Sequence, residues 1–223
     1  MRVLTWNLFH GRSVPPSGRP LLNEFCAALD GWEWDVALLQ EVPPWWPPWL
    51  ARATRAQERS VRTSRNWLLP LRRAISSRNP DILKANGGGA NTILVRGGLR
   101  DHRARRLTWW PERRWAHGVE LASGAWVVNL HATTQPKSEA KERTRAECER
   151  ALAAAREWAG GAPLVLGGDL NLKGRPQLGG LRHVAGNHVD HILVDGFEPA
   201  GRGQVLDRGR LSDHPPVAVS LTP

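Results

Sequence analysis

Short apolar runs of five to seven residues recur along the whole chain. Because such runs are too short for helices and are rich in Val, Leu and Ile, they predict β-strands. The predicted strands are RVLTW (2–6), VALLQ (36–40), NTILV (91–95), HGVEL (117–121), AWVVNLH (125–131), PLVLG (163–167), VDHILV (189–194) and PVAVSL (216–221). The pattern therefore favours a protein built mainly from sheets.

Two longer stretches have the pattern of helices. Residues 20–30 place apolar side chains on one side, namely Leu21, Leu22, Phe25, Ala28 and Leu29. Residues 138–159 are rich in Ala, Glu and Arg and run into two glycines, which favour a helix end. Many strands with few helices predict an α+β fold in which sheets pack together and helices lie outside. Since no internal repeat or linker divides residues 1–223, we expect one domain.

The composition is that of a globular protein. Of the 223 residues, 41% are hydrophobic and 23% are charged, so neither a disordered nor a fibrous protein is expected. No apolar run approaches the length of a membrane span, and the opening residues lack the apolar block of a secretory signal. We therefore expect a cytoplasmic protein. Cys26 and Cys148 are the only cysteines, and they predict reduced thiols rather than a disulfide framework.

The net charge of +10 is concentrated in two segments. Residues 51–73 contain seven arginines against Glu58, and residues 96–114 contain seven against Asp101 and Glu112. Guanidinium groups bind phosphate oxygens through forked hydrogen bonds, so these segments favour a track for a nucleic acid. A solvated face that keeps the protein soluble is the alternative. The candidate substrate-binding arginines are Arg62, Arg65, Arg105 and Arg106.

Polar side chains stand at the ends of the predicted strands. They are Asn7, Glu41, His131, Asp169, Asn171, Asp190, Asp213 and His214. Side chains at the ends of several strands can converge on one edge of a sheet, where the strands hold them rigidly. The alternative is that Asn and Asp simply favour turns. In GGDLN (167–171) we expect the two glycines to carry Asp169 and Asn171 out of the buried strand.

Six motifs follow one another in a fixed order. They are TWN (5–7), LLQEV (38–42), NLHAT (129–133), GGDLN (167–171), VDHILV (189–194) and LSDHPPVAV (211–219). Their order resembles that of the endonuclease/exonuclease/phosphatase superfamily, which includes deoxyribonuclease I and the abasic-site endonucleases. The resemblance spans nearly the whole chain. It implies a four-layered α/β/β/α sandwich with two central, mostly antiparallel sheets.

The resemblance also implies hydrolysis of a phosphate ester with the help of Mg²⁺, for which Mn²⁺ can substitute. The metal ligands implied are Asn7, Glu41 and Asp213, whose hard oxygen atoms suit that ion. Asp169 is expected to orient and deprotonate the attacking water, and Asn171 is expected to offer its amide to that water or to a phosphate oxygen.

Two histidines complete the implied site. His214, held by Asp190, is expected to contact the scissile phosphate. His131 is expected to stabilise the transition-state oxyanion or to serve the leaving group. The sequence leaves open whether Asp169 or His214 is the base.

The match to individual family members has departures. Abasic-site enzymes carry an acidic residue two positions after the Asn of WN and a tyrosine near the phosphate, whereas this chain has Phe9 there and no tyrosine. Where deoxyribonuclease I has a second glutamate, this chain has Asn91, which we expect to contact substrate. An endo- or exonuclease acting on DNA or RNA is the predicted function. The alternatives are a phosphatase or phosphodiesterase of the same fold acting on inositol phosphates or phospholipids, and a non-enzymatic basic nucleic-acid-binding module.

Three tryptophans, Trp45, Trp46 and Trp49, lie in PPWWPPWL (43–50). The prolines argue against a continuous helix, so we expect a projecting loop. The rings are candidates for stacking on unpaired bases or for a lipid interface, and packing at the domain edge is the alternative. The glycines of ANGGG (85–89) predict a flexible turn. No obligate protein partner is expected.

Overall fold

Two β-sheets form the centre of the molecule and pack face to face. The computed structural model describes residues 1–64, 66–83, 89–110, 112–134 and 138–223. Its strands are β1 (Arg2–Asn7), β2 (Val36–Val42), β3 (Gln57–Thr63), β4 (Gly89–Val95), β5 (Leu99–Thr108), β6 (Arg114–Leu121), β7 (Trp126–His131), β8 (Leu164–Asp169), β9 (Arg182–Asn187), β10 (Asp190–Asp195), β11 (Glu198–Pro199), β12 (Gln204–Val205) and β13 (Val217–Thr222). The first sheet has the order β11-β13-β1-β2-β4-β3, with β12 also paired to β13. The second has the order β5-β6-β7-β8-β10-β9.

Helices cover the outer faces of both sheets. They are α1 (Leu22–Gly31), α2 (Pro47–Thr54) and α4 (Ser138–Ala159), whereas α3 (Leu69–Ser76) has no buried residue. Helices α1 and α2 pack on the first sheet through a core that includes Trp6, Phe25 and Leu50. Helix α4 packs on the second sheet through a core that includes Leu130 and Leu152. The four-layered sandwich is thereby confirmed. None of the described helices is long and apolar enough to cross a membrane.

Each sheet contains one parallel pair among its described strands. In the first sheet β1 is parallel to β2, and in the second β7 is parallel to β8. Helix α1 connects the first pair and α4 the second, so the two units have the same β-α-β connectivity. Since parallel strands end at the same edge, both units deliver their last residues to one end of the sandwich. These ends carry Asn7, Glu41, His131 and Asp169.

The space between the sheets changes from apolar to polar toward that end. The apolar layer includes Val3, Leu38, Ile93, Val119, Val127, Val165 and Ile192. Side chains two positions apart in a strand share a face, and the next inward residues are Thr5, Gln40 and Asn129. Gln40 Nε2 donates to Asn129 Oδ1 at 2.8 Å across the sheets and to Thr5 Oγ1 at 3.2 Å. This polar layer links the two sheets directly beneath the edge on which the predicted site residues lie.

All eight predicted strands are present, but the sequence pattern does not predict β3, β5, β9 or the two-residue strands β11 and β12. Strands β3, β5 and β9 lie at sheet edges, and most of their side chains are at least partly exposed. An edge strand with little buried surface needs no alternation of apolar residues, so its pattern is weak. Most of the predicted turn ANGGG lies outside the described residues.

The expectation of a loop in PPWWPPWL is wrong. Pro47 and Pro48 occupy the first turn of α2, where a helix does not use its backbone N–H groups. Trp46 is only 6% exposed and packs against Phe25, with ring centroids 5.4 Å apart. Trp46 therefore packs in the protein and does not contribute to a lipid or base-stacking surface. Trp49 is exposed.

Candidate active site

The predicted polar residues meet at one edge of the sandwich. His131 Nε2 lies 3.9 Å from Glu41 Oε1 and 3.6 Å from Asp169 Oδ2. On the other side, His214 Nε2 lies 3.9 Å from Asp213 Oδ1, and its Nδ1 lies 2.8 Å from Asp190 Oδ2. The β-α-β units of both sheets therefore contribute to a single site.

Two glycines determine the position of Asp169 at the end of β8. Gly168 has φ 137°, and a Cβ there would stand 1.9 Å from the Leu130 carbonyl oxygen. A Cβ at Gly167 would stand 2.9 Å from Leu38 Cδ1. Both glycines thus permit close packing of β8 against its neighbours and do not carry Asp169 out of the buried strand. Asp169 is only 2% exposed, so the expectation that it leaves the buried region is wrong. Asn171 is partly buried.

Asp169 is held on both carboxylate oxygens. Oδ2 accepts a hydrogen bond from Asn7 Nδ2 at 3.0 Å, and Oδ1 accepts one from the backbone N–H of Asn171 at 3.1 Å. Burial, and next the negative charge of Asp190, raise the pKa of Asp169 to about 7, although His214 and the Asn7 hydrogen bond oppose this. A carboxylate that titrates near neutrality can both accept and release a proton.

His214 and Asp190 form a short pair beside Asp169. Burial alone lowers the pKa of His214, but the hydrogen bond and charge of Asp190 outweigh it and raise this pKa to about 9. Asp190 is itself buried, and burial raises its pKa while the hydrogen bond from His214 opposes the rise. At neutral pH His214 is therefore an imidazolium held by a buried carboxylate.

A tight turn before β13 positions His214. Ser212, with φ 60°, donates through Oγ to the Asn7 carbonyl oxygen at 2.6 Å and accepts from the His214 backbone N–H at 3.0 Å. Trp6 Nε1 donates to the His214 carbonyl oxygen at 2.9 Å. The SDH motif is thus fastened to β1, beside Asn7.

His131 differs from His214 in its charge. It is buried, and burial, and next the positive charge of Arg114, hold its pKa well below the usual range. The imidazole is therefore neutral at physiological pH and can donate one hydrogen bond while accepting another.

His10 also belongs to the site, although the sequence analysis gave it no role. Its Nε2 lies 3.1 Å from Glu41 Oε2. Phe9 and His10 have φ angles of 48° and 55°, and Glu41, in an irregular part of β2, has φ 50°. Left-handed backbone is costly for residues other than glycine and often accompanies functional sites. The only residue nearby in the sequence that indicates this left-handed backbone is Gly11, which follows His10 and has φ 78°.

The carboxylates of the site have histidines as neighbours. Among the described residues, no lysine or arginine nitrogen lies within 4.0 Å of Glu41, Asp169, Asp190 or Asp213, and the nitrogens within that distance belong to His10, His131 and His214. Asp190 Oδ1 is buried and has no hydrogen bond within the described structure. Several converging carboxylates with one imidazolium beside them fit a bound cation.

The tightest group of potential ligands differs from the predicted set. One ligand atom each of Asp169, Asp190 and His214 lies within 4.8 Å of the others. The predicted metal ligands Glu41 and Asp213 flank this group and are more exposed. Asn7, also predicted as a ligand, accepts from the Phe9 backbone N–H through Oδ1 and directs Nδ2 at Asp169. In this arrangement Asn7 holds Asp169.

The predicted substrate-binding residues are dispersed. Asn91 is fully buried at the site end of β4, and neither of its side-chain polar atoms has a partner among the described residues. Arg62 faces a groove between α2 and α3, together with Trp49 and Arg73. Arg65 lies outside the described residues.

The two predicted arginines of β5 differ in their surroundings. Arg105 forms two hydrogen bonds of 2.7 Å with Glu157, in the last turn of α4. Because α4 begins at the site end and runs away from it, the structure does not bring Arg105 to the site. Arg106 instead lies over the exposed ring of Trp109.

A cleft next to His214 carries basic residues that the sequence analysis did not single out. It has a volume of about 1340 Å³ and is lined by Asn171, Asp190, Asp213 and His214 together with Lys141, Arg145, Lys173 and Arg175. These cations are scattered along the chain, so no local run of charge indicates them.

Three solved structures illustrate the likeness of the fold. An endonuclease/exonuclease/phosphatase from Beutenbergia cavernae DSM 12333 has a TM-score of 0.75 and 18% identity over 99% of this chain and 71% of its own. A mannosyl-6-phosphatase from Bacteroides thetaiotaomicron VPI-5482 has a TM-score of 0.69 and 16% identity, over 100% of this chain and 99% of its own. Truncated TDP2 from Caenorhabditis elegans has a TM-score of 0.62 and 16% identity, over 99% of this chain and 96% of its own. At these identities the likeness shows the fold alone.

The comparison with curated protein sequences gives no match. The sequence pattern of the Endonuclease/Exonuclease/phosphatase family, however, matches residues 4–214. This span includes the motifs from TWN to SDH, whose polar residues meet at the site. The chain therefore belongs to the endonuclease/exonuclease/phosphatase family, whose fold supports a hydrolase acting on phosphate esters.

Proposed function

We propose that this protein is a Mg²⁺-dependent phosphodiesterase that cleaves DNA or RNA by attack of a water molecule. The observation that carries the proposal is the buried carboxylate of Asp169 beside His214, whose Nδ1 lies 2.8 Å from Asp190 Oδ2. A base that titrates near neutrality and a cation next to it are the groups that hydrolysis of an anionic ester requires.

Glu41 and Asp213 are the residues that would hold the metal ion. Their carboxylates are the more exposed ones of the site, and Mg²⁺ keeps several waters while binding one or two carboxylates. His214 is a poor ligand because Nδ1 is bonded to Asp190 and the ring is protonated. When bound, a divalent cation acts as a Lewis acid on the phosphate oxygens.

Asp169 is the proposed base. Its two hydrogen-bond donors, Asn7 Nδ2 and the Asn171 N–H, orient the carboxylate toward the shared edge. His214 is unsuited to this task at neutral pH because its ring already carries the proton. The imidazolium instead binds a phosphate oxygen and stabilises the charge that develops there.

His131 and Asn171 complete the proposed mechanism. The neutral ring of His131, 3.6 Å from Asp169 Oδ2, is placed to donate to a phosphate oxygen or to the leaving group. Asn171 Nδ2 is bonded to the Ala132 carbonyl oxygen, so its Oδ1 is the atom that can accept from the attacking water.

Basic residues on both sides of the site support a polyanionic substrate. Lys173 and Arg175 line the cleft beside His214, and Arg106 and Arg113 lie at the turn between β5 and β6. Cations that follow an extended path suit a phosphate backbone better than one small ester. The likeness of fold to a mannosyl-6-phosphatase favours a phosphomonoesterase as the second candidate.

A substrate panel tests the proposal. Purified protein is assayed with Mg²⁺ and with EDTA on single- and double-stranded DNA, abasic DNA, RNA, inositol phosphates, sphingomyelin and sugar phosphates. We expect cleavage of at least one nucleic acid, lost in EDTA and restored by Mg²⁺ or Mn²⁺. Turnover of sugar or inositol monoesters alone would replace the proposed function with that of a phosphatase. Turnover in EDTA equal to that with Mg²⁺ would refute the metal requirement.

A further inference from the structure

The arginines of β5, of β6 and of the turn between them fall into two classes. Four of the arginines between residues 100 and 114 have a carboxylate within 4.0 Å, namely Arg100 with Glu120, Arg103 with Asp101, Arg105 with Glu157 and Arg114 with Glu112. Arg106 and Arg113 have no such partner among the described residues. Their charge is therefore available to a ligand.

These two arginines flank exposed tryptophans. The guanidinium carbon of Arg106 lies 4.4 Å from the centre of the Trp109 ring, and that of Arg113 lies 4.7 Å from it. Trp109 is 59% exposed and Trp110 is 64% exposed. Large aromatic side chains rarely remain so open unless they serve a binding surface. We refer to Arg106, Trp109, Trp110 and Arg113 as the Arg–Trp cluster.

The Arg–Trp cluster lies beside the proposed active site. Strand β6 begins at Arg114, and its Ala116 pairs with Leu130 of β7, next to His131. The backbone N–H of Ser64 donates to the Arg113 carbonyl oxygen at 3.3 Å, which connects the cluster to the end of β3. The cluster therefore lies at the same end of the sandwich as the active site.

The cluster is also anchored to α4. Arg143 donates to the Trp110 carbonyl oxygen, and Thr108 Oγ1 donates to Glu147 Oε1. Both partners lie in the first half of α4, at the site end of the helix. The tryptophans are thus presented from a braced backbone, which reduces the entropy lost on binding.

We propose that the Arg–Trp cluster binds an unpaired nucleic-acid strand, with nucleobases stacked on Trp109 and Trp110 and phosphates bound by Arg106 and Arg113. The inference rests on the proposed function and specifies the form of its substrate. Aromatic rings stack on any base, and guanidinium groups bind phosphates, so the cluster suits single strands of varied sequence. In a duplex the bases are stacked on one another and their faces are not accessible to the rings.

An unpaired strand fits the cluster better than a lipid surface does. The aliphatic residues that would insert among lipid chains, Leu68, Leu71 and Ile82, are exposed on a different segment around α3. In the Arg–Trp cluster both cations lie over the ring of Trp109. In the proposed complex each guanidinium moves from the ring to an adjoining phosphate, and a nucleobase takes its place on the ring.

The test compares two strands of equal charge. Binding of a fluorescent oligothymidylate and of a base-free phosphodiester strand of the same length is measured by anisotropy in EDTA, where cleavage does not interfere. We expect wild type to prefer oligothymidylate. The variant W109A/W110A should bind it roughly 10-fold or more weakly, the scale of one to two lost stacking contacts. W109F/W110F should retain most of the affinity.

Matched controls separate the inference from loss of folding and from membrane binding. W109A/W110A should bind the base-free strand as wild type does, and a thermal melting transition like that of wild type shows that it is folded. L68A/L71A removes exposed apolar side chains that cannot stack, and it should leave both affinities unchanged. Equal affinity of wild type and W109A/W110A for oligothymidylate would overturn the inference. A second result would also overturn it. In that result wild type binds anionic phosphatidylserine vesicles, W109A/W110A loses this binding, and the preference for oligothymidylate over the base-free strand does not change.

The proposed function can fail separately. If wild type binds oligothymidylate through the tryptophans but cleaves no nucleic acid with Mg²⁺, the binding site stands and the nuclease proposal falls. If it cleaves nucleic acid but W109A/W110A binds oligothymidylate unchanged, the nuclease proposal stands and the binding site falls.

Discussion

The two sides of the active-site edge are built by units of the same connectivity but differ in their environment. On the side of β1 and β2, the Glu41 carboxylate is partly exposed and lies against His10, whose pKa is lowered by burial. On the side of β8 and β10, Asp169 and Asp190 are buried together beside His214. Burial raises the pKa of both carboxylates, and the charge of Asp190 adds to the rise for Asp169 while that of Asp213 adds to the rise for Asp190.

The difference indicates a division of tasks. A partly exposed carboxylate can bind a hydrated cation. The buried carboxylate of Asp169, beside the imidazolium of His214, instead exchanges protons near neutral pH. If this division is correct, substitutions on the two sides should have different kinetic signatures.

The largest effect is expected on the buried side. Asp169→Asn removes the proton acceptor while keeping a similar shape, so kcat should fall by at least ~10² at saturating Mg²⁺. Oligonucleotide affinity in EDTA should change little. Asp195→Asn, an exposed change at the far end of β10, is the matched control and should be neutral. Near-normal turnover of the Asp169 variant would remove Asp169 from the role of base.

A smaller effect of a different kind is expected on the open side. Glu41→Gln removes a charged oxygen ligand, so Mn²⁺ affinity measured by calorimetry without substrate should fall by at least ~10-fold, a size typical even for outer-shell partners of a metal. High metal concentrations should restore part of the turnover. Unchanged Mn²⁺ affinity would place the ion at the buried group of Asp169, Asp190 and His214.

The third prediction concerns protonation of the buried side. Asp190→Asn removes the hydrogen bond and the charge that raise the pKa of His214 to about 9, while burial remains. The pKa of His214, followed by NMR in metal-free protein, should therefore fall. Asp195→Asn should not change it. A pKa that stays near 9 in Asp190→Asn would mean that another group holds the proton on His214.

The same pair predicts the sign of a pH effect on stability. The folded pKa of His214 is raised from an ordinary value of 6.5 to about 9. Its contribution to stability is therefore fully present below pH 6.5 and is lost as pH rises through 9. Thermal melting of wild type and His214→Gln should differ most at the acidic end of this window and converge at the alkaline end.

The smallest effect extends the comparison to substrate affinity. Because Arg106 and Arg113 have no carboxylate partner, R106A/R113A should reduce the salt slope of oligonucleotide binding by about 1 to 2. Arg105→Ala should leave the slope unchanged, since Glu157 already neutralises that guanidinium. Equal slopes for R106A/R113A and wild type would assign these arginines to solubility.

Much of the fold could be predicted because buried strands need apolar residues at regular positions. The same rule fails for β3, β5 and β9, whose edge positions remove that need. Polar residues at strand ends indicated the site, and the order of motifs indicated the family. Their pairing could not be read from the sequence, because Asn7 and Asp169 are 162 positions apart and meet only through the packing of two sheets. His10 was missed because its role depends on a backbone turn that no motif encodes.

The link between Gln40 and Asn129 makes the site sensitive to any shift of one sheet against the other. Each sheet carries about half of the site's chemical groups, so a slide of one sheet would change the distance between His131 and Glu41 while every strand stayed paired. Warming that loosens the intersheet contact should consequently abolish turnover at temperatures where circular dichroism still reports intact secondary structure.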